Sequence, residues 1–207
     1  MIVEFLQRIF SFDDKHPLLF TQFDFWVFFI IVFAIFATIK KDKLLMRNAF
    51  LFFVSVFFYY KTSGWFTLIL VFSTIANYFL GKWMFGTKSD GGKKAILILS
   101  LFVNLLTLCY FKYAYFFIDM TNSICAVLNS KFDLSLNVSS GVYNIFADLG
   151  NIISGKENFS GDKIVLPVGI SFYTFQSISY VMDIFRKRIE PVKNILDYGF
   201  YLTFFPQ

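Results

Sequence analysis

Residues 95–118, AILILSLFVNLLTLCYFKYAYFFI, form one apolar run longer than the roughly 20 residues that carry a helix across about 30 Å of hydrocarbon. A soluble helix of this length carries a charged face, whereas here the only charged side chain is Lys112. The run therefore places the chain in a membrane, and the composition agrees. The 207 residues are 57% hydrophobic, 22% aromatic and 16% charged, where soluble chains run near a quarter charged. A compact domain of this size has no interior for 32 phenylalanines, so soluble nucleic-acid-binding modules, disulfide scaffolds and disordered chains are set aside. The expected partner is the lipid bilayer, with no nucleic acid. Cys109 and Cys125 lack CxxC spacing and read as packing residues, and no cluster of metal ligands occurs.

Further spans lie on both sides. Residues 18–39 stop at Lys40-Lys41, residues 44–60 form a shorter run that suits a tilted or re-entrant element, and residues 65–84 and 166–185 complete five. A sixth opens at Ile195. Lys40, Lys41, Lys43 and Arg47, then Lys82, Lys88, Lys93 and Lys94, then Arg186, Lys187, Arg188 and Lys193 occupy alternate connections. The intervening connections carry only Lys61 in one case and an excess of acids in the other. By the positive-inside rule the N-terminus is outside, and the net charge of +5 is an orientation signal. The expectation is an all-α polytopic integral membrane protein with about five to six transmembrane or re-entrant helices in a single membrane domain, 1–207. Within it, 1–17 is an interfacial amphipathic segment in which Ile2, Phe5, Leu6, Ile9 and Phe10 share a face, and 18–118 holds four membrane helices. Residues 119–163 are an extracellular or periplasmic segment with a short helix near 142–153, and 164–207 hold a polar helix and the start of the next.

Polar side chains inside hydrocarbon need partners, so each is a candidate for function or for helix contact. Ser73, Asn77 and Gly81 recur every four residues, and Asn104 lies about 14 Å along its helix from Ala95. Lys112 lies about 26 Å along the same helix, where its ammonium can snorkel among Tyr110, Tyr113 and Tyr115 or line a polar path. Residues 166–186, LPVGISFYTFQSISYVMDIFR, are the most polar span. Ser171, Thr174 or Gln176, and Ser177 to Ser179 recur at three- or four-residue steps, so one face could line a water-accessible pocket to which Tyr173 also belongs. Pro167 and Gly169 suit a helix start or a local break. Asp183 can pair with Arg186 at i+3 or face a pocket. His16, the single histidine, reads as an interfacial loop residue. Residue types and spacing by themselves indicate a membrane protein with a polar interior path.

The same segment, 166–186, closely resembles a signature of the bacterial membrane-bound O-acyltransferases, particularly their alginate O-acetylation branch. Arg47-Asn48 with AFLFFVSVFFYY, then NYFLG at 77–81, NLLTLCYFKY at 104–113 and FFPQ at 204–207 follow in that family's order. The resemblance implies a truncated helical acyltransferase fold in the bacterial cytoplasmic membrane. It implies an acetyl group moved from a thioester donor such as acetyl-CoA, with no tightly bound cofactor, towards hydroxyls of an extracellular polysaccharide such as alginate, with an extracellular or periplasmic acetyltransferase as partner. D-alanyl transfer to teichoic acid is the alternative within the superfamily, and a scaffold or transporter fragment the alternative outside it. The family's essential intramembrane histidine belongs to a region after the motif ending at Gln207. His16 does not match its surroundings, so no catalytic residue is assigned and the chain alone is expected to be inactive. Asn104, Lys112, Ser171, Tyr173, Thr174, Gln176, Ser177 and Asp183 are the pocket or tunnel candidates.

Overall fold

A computed structural model describes residues 23–132, 151–152 and 167–204. The described residues are helical throughout their regular structure: α1 Phe23–Thr38, α2 Leu44–Ser63, α3 Thr67–Gly86, α4 Asp90–Leu108, α5 Ala114–Phe132, α6 Ile170–Phe185 and α7 Ile195–Thr203. The expected amphipathic segment at 1–17 and His16 lie outside the described residues, as does the expected helix near 142–153 apart from residues 151–152, which are helical. The chain divides into two compact units, Met1–Asn104 with Val168–Gln207, and Leu105–Pro167.

In the first unit, α2 has 20 residues, about 30 Å of helix, so it is a full-length element and not the short one its hydropathy suggested. It ends where Gly64 adopts φ 58°, a left-handed value that costs glycine little. The short 3-10 turn Gly64–Phe66 then reverses the chain into α3. Lys61, expected in the connection, instead lies in the last turn of α2 and is only 2% exposed.

Side-chain pairs give the directions. Asn48 donates to Asp197 at 2.9 Å near the starts of α2 and α7, and at their far ends Phe58 and Leu202 line a common cavity, so these helices run parallel. Leu70 joins that same end while the Tyr78 hydroxyl donates to the Lys193 carbonyl at 2.8 Å, so α3 runs the opposite way. Tyr173 at the start of α6 meets the Tyr59 ring, and Ile184 at its end meets Gly81, which sets α6 alongside α3 in direction. In α1, Phe25 and Phe28 pack on Phe58 while the Arg47 guanidinium lies 4.2 Å from the Phe36 ring, giving an antiparallel pair with α2. The connections before α2, after α3 and after α6 consequently gather at one end of this unit; of the basic residues expected in them, Arg47, Lys82, Lys93 and Lys94 instead lie in the adjoining turns of α2, α3 and α4.

The packing departs from that of a soluble bundle. Ser55, Thr74, Asn77, Ser100, Thr174 and Ser177 are buried, while Phe53, Phe72, Phe79, Trp83, Phe102, Phe172 and Phe175 are exposed. Small and polar residues between helices with large apolar ones outside are the arrangement a lipid solvent selects.

In the second unit, a π-helical turn, Cys109–Tyr113, precedes α5, which continues to Phe132. The sequence reading ended the span at 118 and placed an extramembrane connection from there. The helix persists because no glycine or proline occurs between Ala95 and Gly141 to stop it.

Candidate functional site

The site is built around the start of α6. Pro167 is buried, and Gly169 takes φ 72° as the residue preceding the helix, its carbonyl accepting from the Phe172 and Tyr173 amides. The Val168 amide reaches Ser63 Oγ at 3.4 Å, tying this turn to the end of α2. A Cβ on Gly169 would lie 3.2 Å from the Tyr59 hydroxyl, so glycine serves both the left-handed backbone and the close approach of that side chain. The Pro167–Gly169 segment thus leads into the start of α6.

Below this turn lies a cavity of about 230 Å³, lined by Phe58, Tyr59 and Thr62 of α2, Leu70 of α3, Val168, Gly169, Phe172, Tyr173 and Gln176 at α6, and Leu202, Thr203 and Phe204 at α7. That space is roughly eight times the volume one water occupies in the liquid. Its walls are mostly apolar and none of its lining residues is charged. The Tyr59 and Tyr173 rings meet edge to face at 6.4 Å between centroids, and both hydroxyls are buried without a hydrogen-bond partner among the described residues. Buried donors left unsatisfied cost stability, and the Thr67, Ser177 and Tyr198 hydroxyls share that state, so what sets Tyr59 and Tyr173 apart is that their side chains line the cavity. Two phenolic donors suit a carbonyl or a developing oxyanion.

Gln176 is already committed. Its amide nitrogen donates to the Tyr201 carbonyl at 2.8 Å, one of the last four carbonyls of α7, which lack partners within their own helix. The side chain therefore caps α7 while its stem lines the cavity. On the flank of α6, Ser171, Gln176 and Ser179 border a more open groove with Phe172, Phe175 and Tyr201. Thr174 and Ser177 turn to the opposite, fully buried side. Deeper still, the Ser177 and Tyr198 hydroxyls come close to one another yet both stop short of hydrogen-bond geometry.

Of the residues singled out by sequence, Tyr173 and Gln176 thus reach the cavity. Ser171, Thr174, Ser177 and Ser179 do not share one face, because Thr174 and Ser177 belong to the buried stripe 170, 173, 174, 177, 180, 181 and 184 while Ser171 and Ser179 border the open groove. Asp183 pairs with Arg188 at 3.6 Å instead of the expected Arg186. The change follows from the end of α6: Lys187 takes φ 57° and the Arg188 amide donates back to the Asp183 carbonyl, which swings Arg188 over the carboxylate.

Asn104 joins a buried amide pair. Its nitrogen donates to Asn77 Oδ1 at 2.7 Å and Asn77 returns a bond to Asn104 Oδ1 at 3.2 Å, with Ser100 Oγ adding a third at 3.0 Å. Each amide also donates to the carbonyl four residues earlier on its own helix. The pair is a clamp between α3 and α4, and Gly81 below it allows Tyr180 and Ile184 to approach α3. Lys112, in the second unit, is exposed within the π-helical turn, 5.5 Å from the Tyr113 ring centroid.

Tyr59, Thr62 and Thr203 escaped the sequence reading. Tyr59 sits in VSVFFYYKTS, where a pair of tyrosines beside a lysine reads as an interfacial belt. The available signal was Ser55, Tyr59 and Thr62 at i, i+4 and i+7, a polar stripe on an otherwise aromatic helix.

Comparison with curated proteins finds several similar sequences. The chain is 31% identical over 162 residues to the probable alginate O-acetylase AlgI of Pseudomonas aeruginosa, covering 77% of this chain and 26% of that protein. A protein of the same name from Azotobacter vinelandii is 30% identical over 64% of this chain and 22% of its own length. The peptidoglycan O-acetyltransferase of Helicobacter pylori is 27% identical over 74% of this chain and 28% of its own length. The chain therefore spans about a quarter of the curated relatives it matches. No protein-family model and no solved structure matches it.

Proposed function

We propose that this chain, a member of the membrane-bound O-acyltransferase family, supplies the scaffold and an acyl-binding chamber of an O-acetyltransferase. The observation that carries this reading is the cavity with the paired Tyr59 and Tyr173 hydroxyls, in a chain whose named relatives are O-acetyltransferases. The donor is a thioester such as acetyl-CoA, and the acceptor a hydroxyl of an envelope or extracellular polysaccharide. Alginate is the acceptor named for one set of relatives and peptidoglycan for another. The basic end of the first unit faces the cytoplasm of a bacterial cell and the cavity end lies towards the outer surface. A periplasmic or extracellular acetyltransferase completes delivery to the glycan.

In such a transfer the acetyl C–S bond breaks, a C–O bond forms, the thiol departs and the hydroxyl proton passes to a base. The lining residues offer donors but no base, so Tyr59 and Tyr173 hold the acyl carbonyl and polarise it. The base belongs to the three quarters of such a protein that the aligned region leaves out. The test is genetic and chemical. Deleting the gene removes base-labile acetate from the cell's polysaccharide, the full-length protein restores it, and Tyr59→Phe with Tyr173→Phe restores less than a tenth at equal membrane abundance. Unchanged acetate on deletion would overturn the reading.

A further inference from the structure

At the basic end of the first unit a second cavity, of about 300 Å³, opens between the end of α3, the first turn of α4 and the turn after α6. Lys93, Lys187 and Arg188 supply three cations against the single carboxylate of Glu190 on its lining, and Met84, Phe85, Ile184, Phe185 and Ile189 form its apolar walls. Arg188 is partly engaged by Asp183, whereas Lys93 and Lys187 make no side-chain ion pair among the described residues.

Lys187 carries the second observation. It is the only described non-glycine residue with positive φ, 57°. Its amide donates to the Ile184 carbonyl and that of Arg188 to the Asp183 carbonyl, the helix-ending turn in which glycine is the usual occupant. A lysine here bears left-handed strain that a glycine would not. Part of its return is the C-terminal dipole of α6, which a cation satisfies. That dipole is served equally by Arg186 and Arg188, so it does not account for a strained third cation at the cavity.

We propose that this cavity binds the phosphate headgroup of an anionic membrane lipid. A free hydrated phosphate gains nothing from five apolar side chains, whereas a headgroup brings its glycerol and first methylenes to them. The helices that form the walls also present Phe79 and Trp83 of α3, and Ile98 and Phe102 of α4, outward within the next turns, where acyl chains would lie. Basic pockets between membrane helices at the cytoplasmic surface hold lipid headgroups in this way. The inference needs the chain to be in a membrane but does not depend on acyl transfer.

The test uses the full-length protein extracted in mild detergent and relipidated with phosphatidylcholine alone or with added phosphatidylglycerol. Phosphatidylglycerol raises the midpoint of thermal unfolding of wild type and is retained on native mass spectrometry. In Lys93→Gln with Lys187→Gly, about thirtyfold less is retained, for two cations lost. Lys187→Gly relieves backbone strain, so the variant keeps its fold, and a purely structural role for Lys187 predicts equal lipid retention. Equal retention by variant and wild type overturns the proposal. So does an equal midpoint shift from inorganic phosphate, which would make the site one for free phosphate, or displacement of the lipid by acetyl-CoA, which would assign the cavity to the donor.

Discussion

The amide clamp between Asn77 and Asn104 offers the sharpest test of the fold. Asn104→Leu removes two bonds between α3 and α4, those at 2.7 and 3.2 Å, and leaves Asn77 with Ser100 Oγ and its own-helix Ser73 carbonyl. Hydrogen bonds between membrane helices average about 0.6 kcal/mol and reach about 1.7, so the loss is roughly 1–3 kcal/mol. Asn77→Leu loses the Ser100 bond as well and costs about 2 kcal/mol or somewhat more. In the double variant neither amide is left seeking a partner in an apolar interior. Its cost falls below the sum of the singles, with a coupling of about 1 kcal/mol or more. The measurement is equilibrium unfolding of the full-length protein in mixed micelles against dodecyl sulfate mole fraction, followed by helical circular dichroism. Additivity within about 0.3 kcal/mol would show that the two amides do not hold each other and would refute the clamp.

Other perturbations follow from single contacts. A Cβ at Gly199 would meet the Phe52 ring at 2.5 Å, so Gly199→Ala destabilises by about 1–3 kcal/mol in the same assay, and Phe52→Leu restores most of it; no restoration would mean that α2 and α7 meet differently. Gly169→Ala pays for left-handed backbone and presses on Tyr59, and costs about 1–2 kcal/mol together with lower acetyl transfer; a neutral result in both would place Gly169 in ordinary backbone. Gln176→Leu uncovers the Tyr201 carbonyl, lowering stability by about 1 kcal/mol and transfer by more than abundance, measured as acetate per protein in membranes. Asn48→Asp sets a carboxylate against Asp197, which Asn48 now bonds at 2.9 Å, and lowers the unfolding midpoint at neutral pH; an unchanged midpoint would mean that the starts of α2 and α7 do not meet there.

Much of the architecture was legible because hydrocarbon imposes a length and a polarity. The run from Trp65 to Met84 places α3 to within two residues at each end, and the polar spacing of Ser73, Asn77 and Gly81 correctly marked its inner face. Asn104 belonged to the same signal, since a lone amide in an apolar helix has few partners other than another amide. Lys61 went the other way. A lysine at the end of an aromatic run reads as a boundary, yet α2 carries it through one more turn into a buried position before Gly64 stops the helix. What ends a helix is the backbone demand of the next residue, and the charge only correlates with it.

The direction of the α6 hydroxyls was not legible, and the reason bears on how any such helix should be read. In a soluble helix apolar residues mark the inner face because water rejects them, whereas here both faces are apolar and only polarity carries a period. Large polar groups obey that period: Asn77 and Asn104 point inward, since neither can satisfy an amide alone in hydrocarbon. Serine and threonine are less bound by it, because a hydroxyl can donate to the carbonyl four residues earlier on its own helix, as Thr62, Thr74 and Thr203 do, whereas Ser177 makes no such bond. A stripe of hydroxyls is therefore weak information about a cavity, and it scattered Ser171, Thr174, Ser177 and Ser179 around α6. A tyrosine hydroxyl has no such recourse, since its ring carries the oxygen beyond its own backbone. It must find a partner elsewhere or leave a donor open. In this bundle Tyr59 and Tyr173, whose side chains line the same cavity, leave theirs open, so the tyrosines, of which the sequence singled out Tyr173 alone, were more informative than the stripe of hydroxyls.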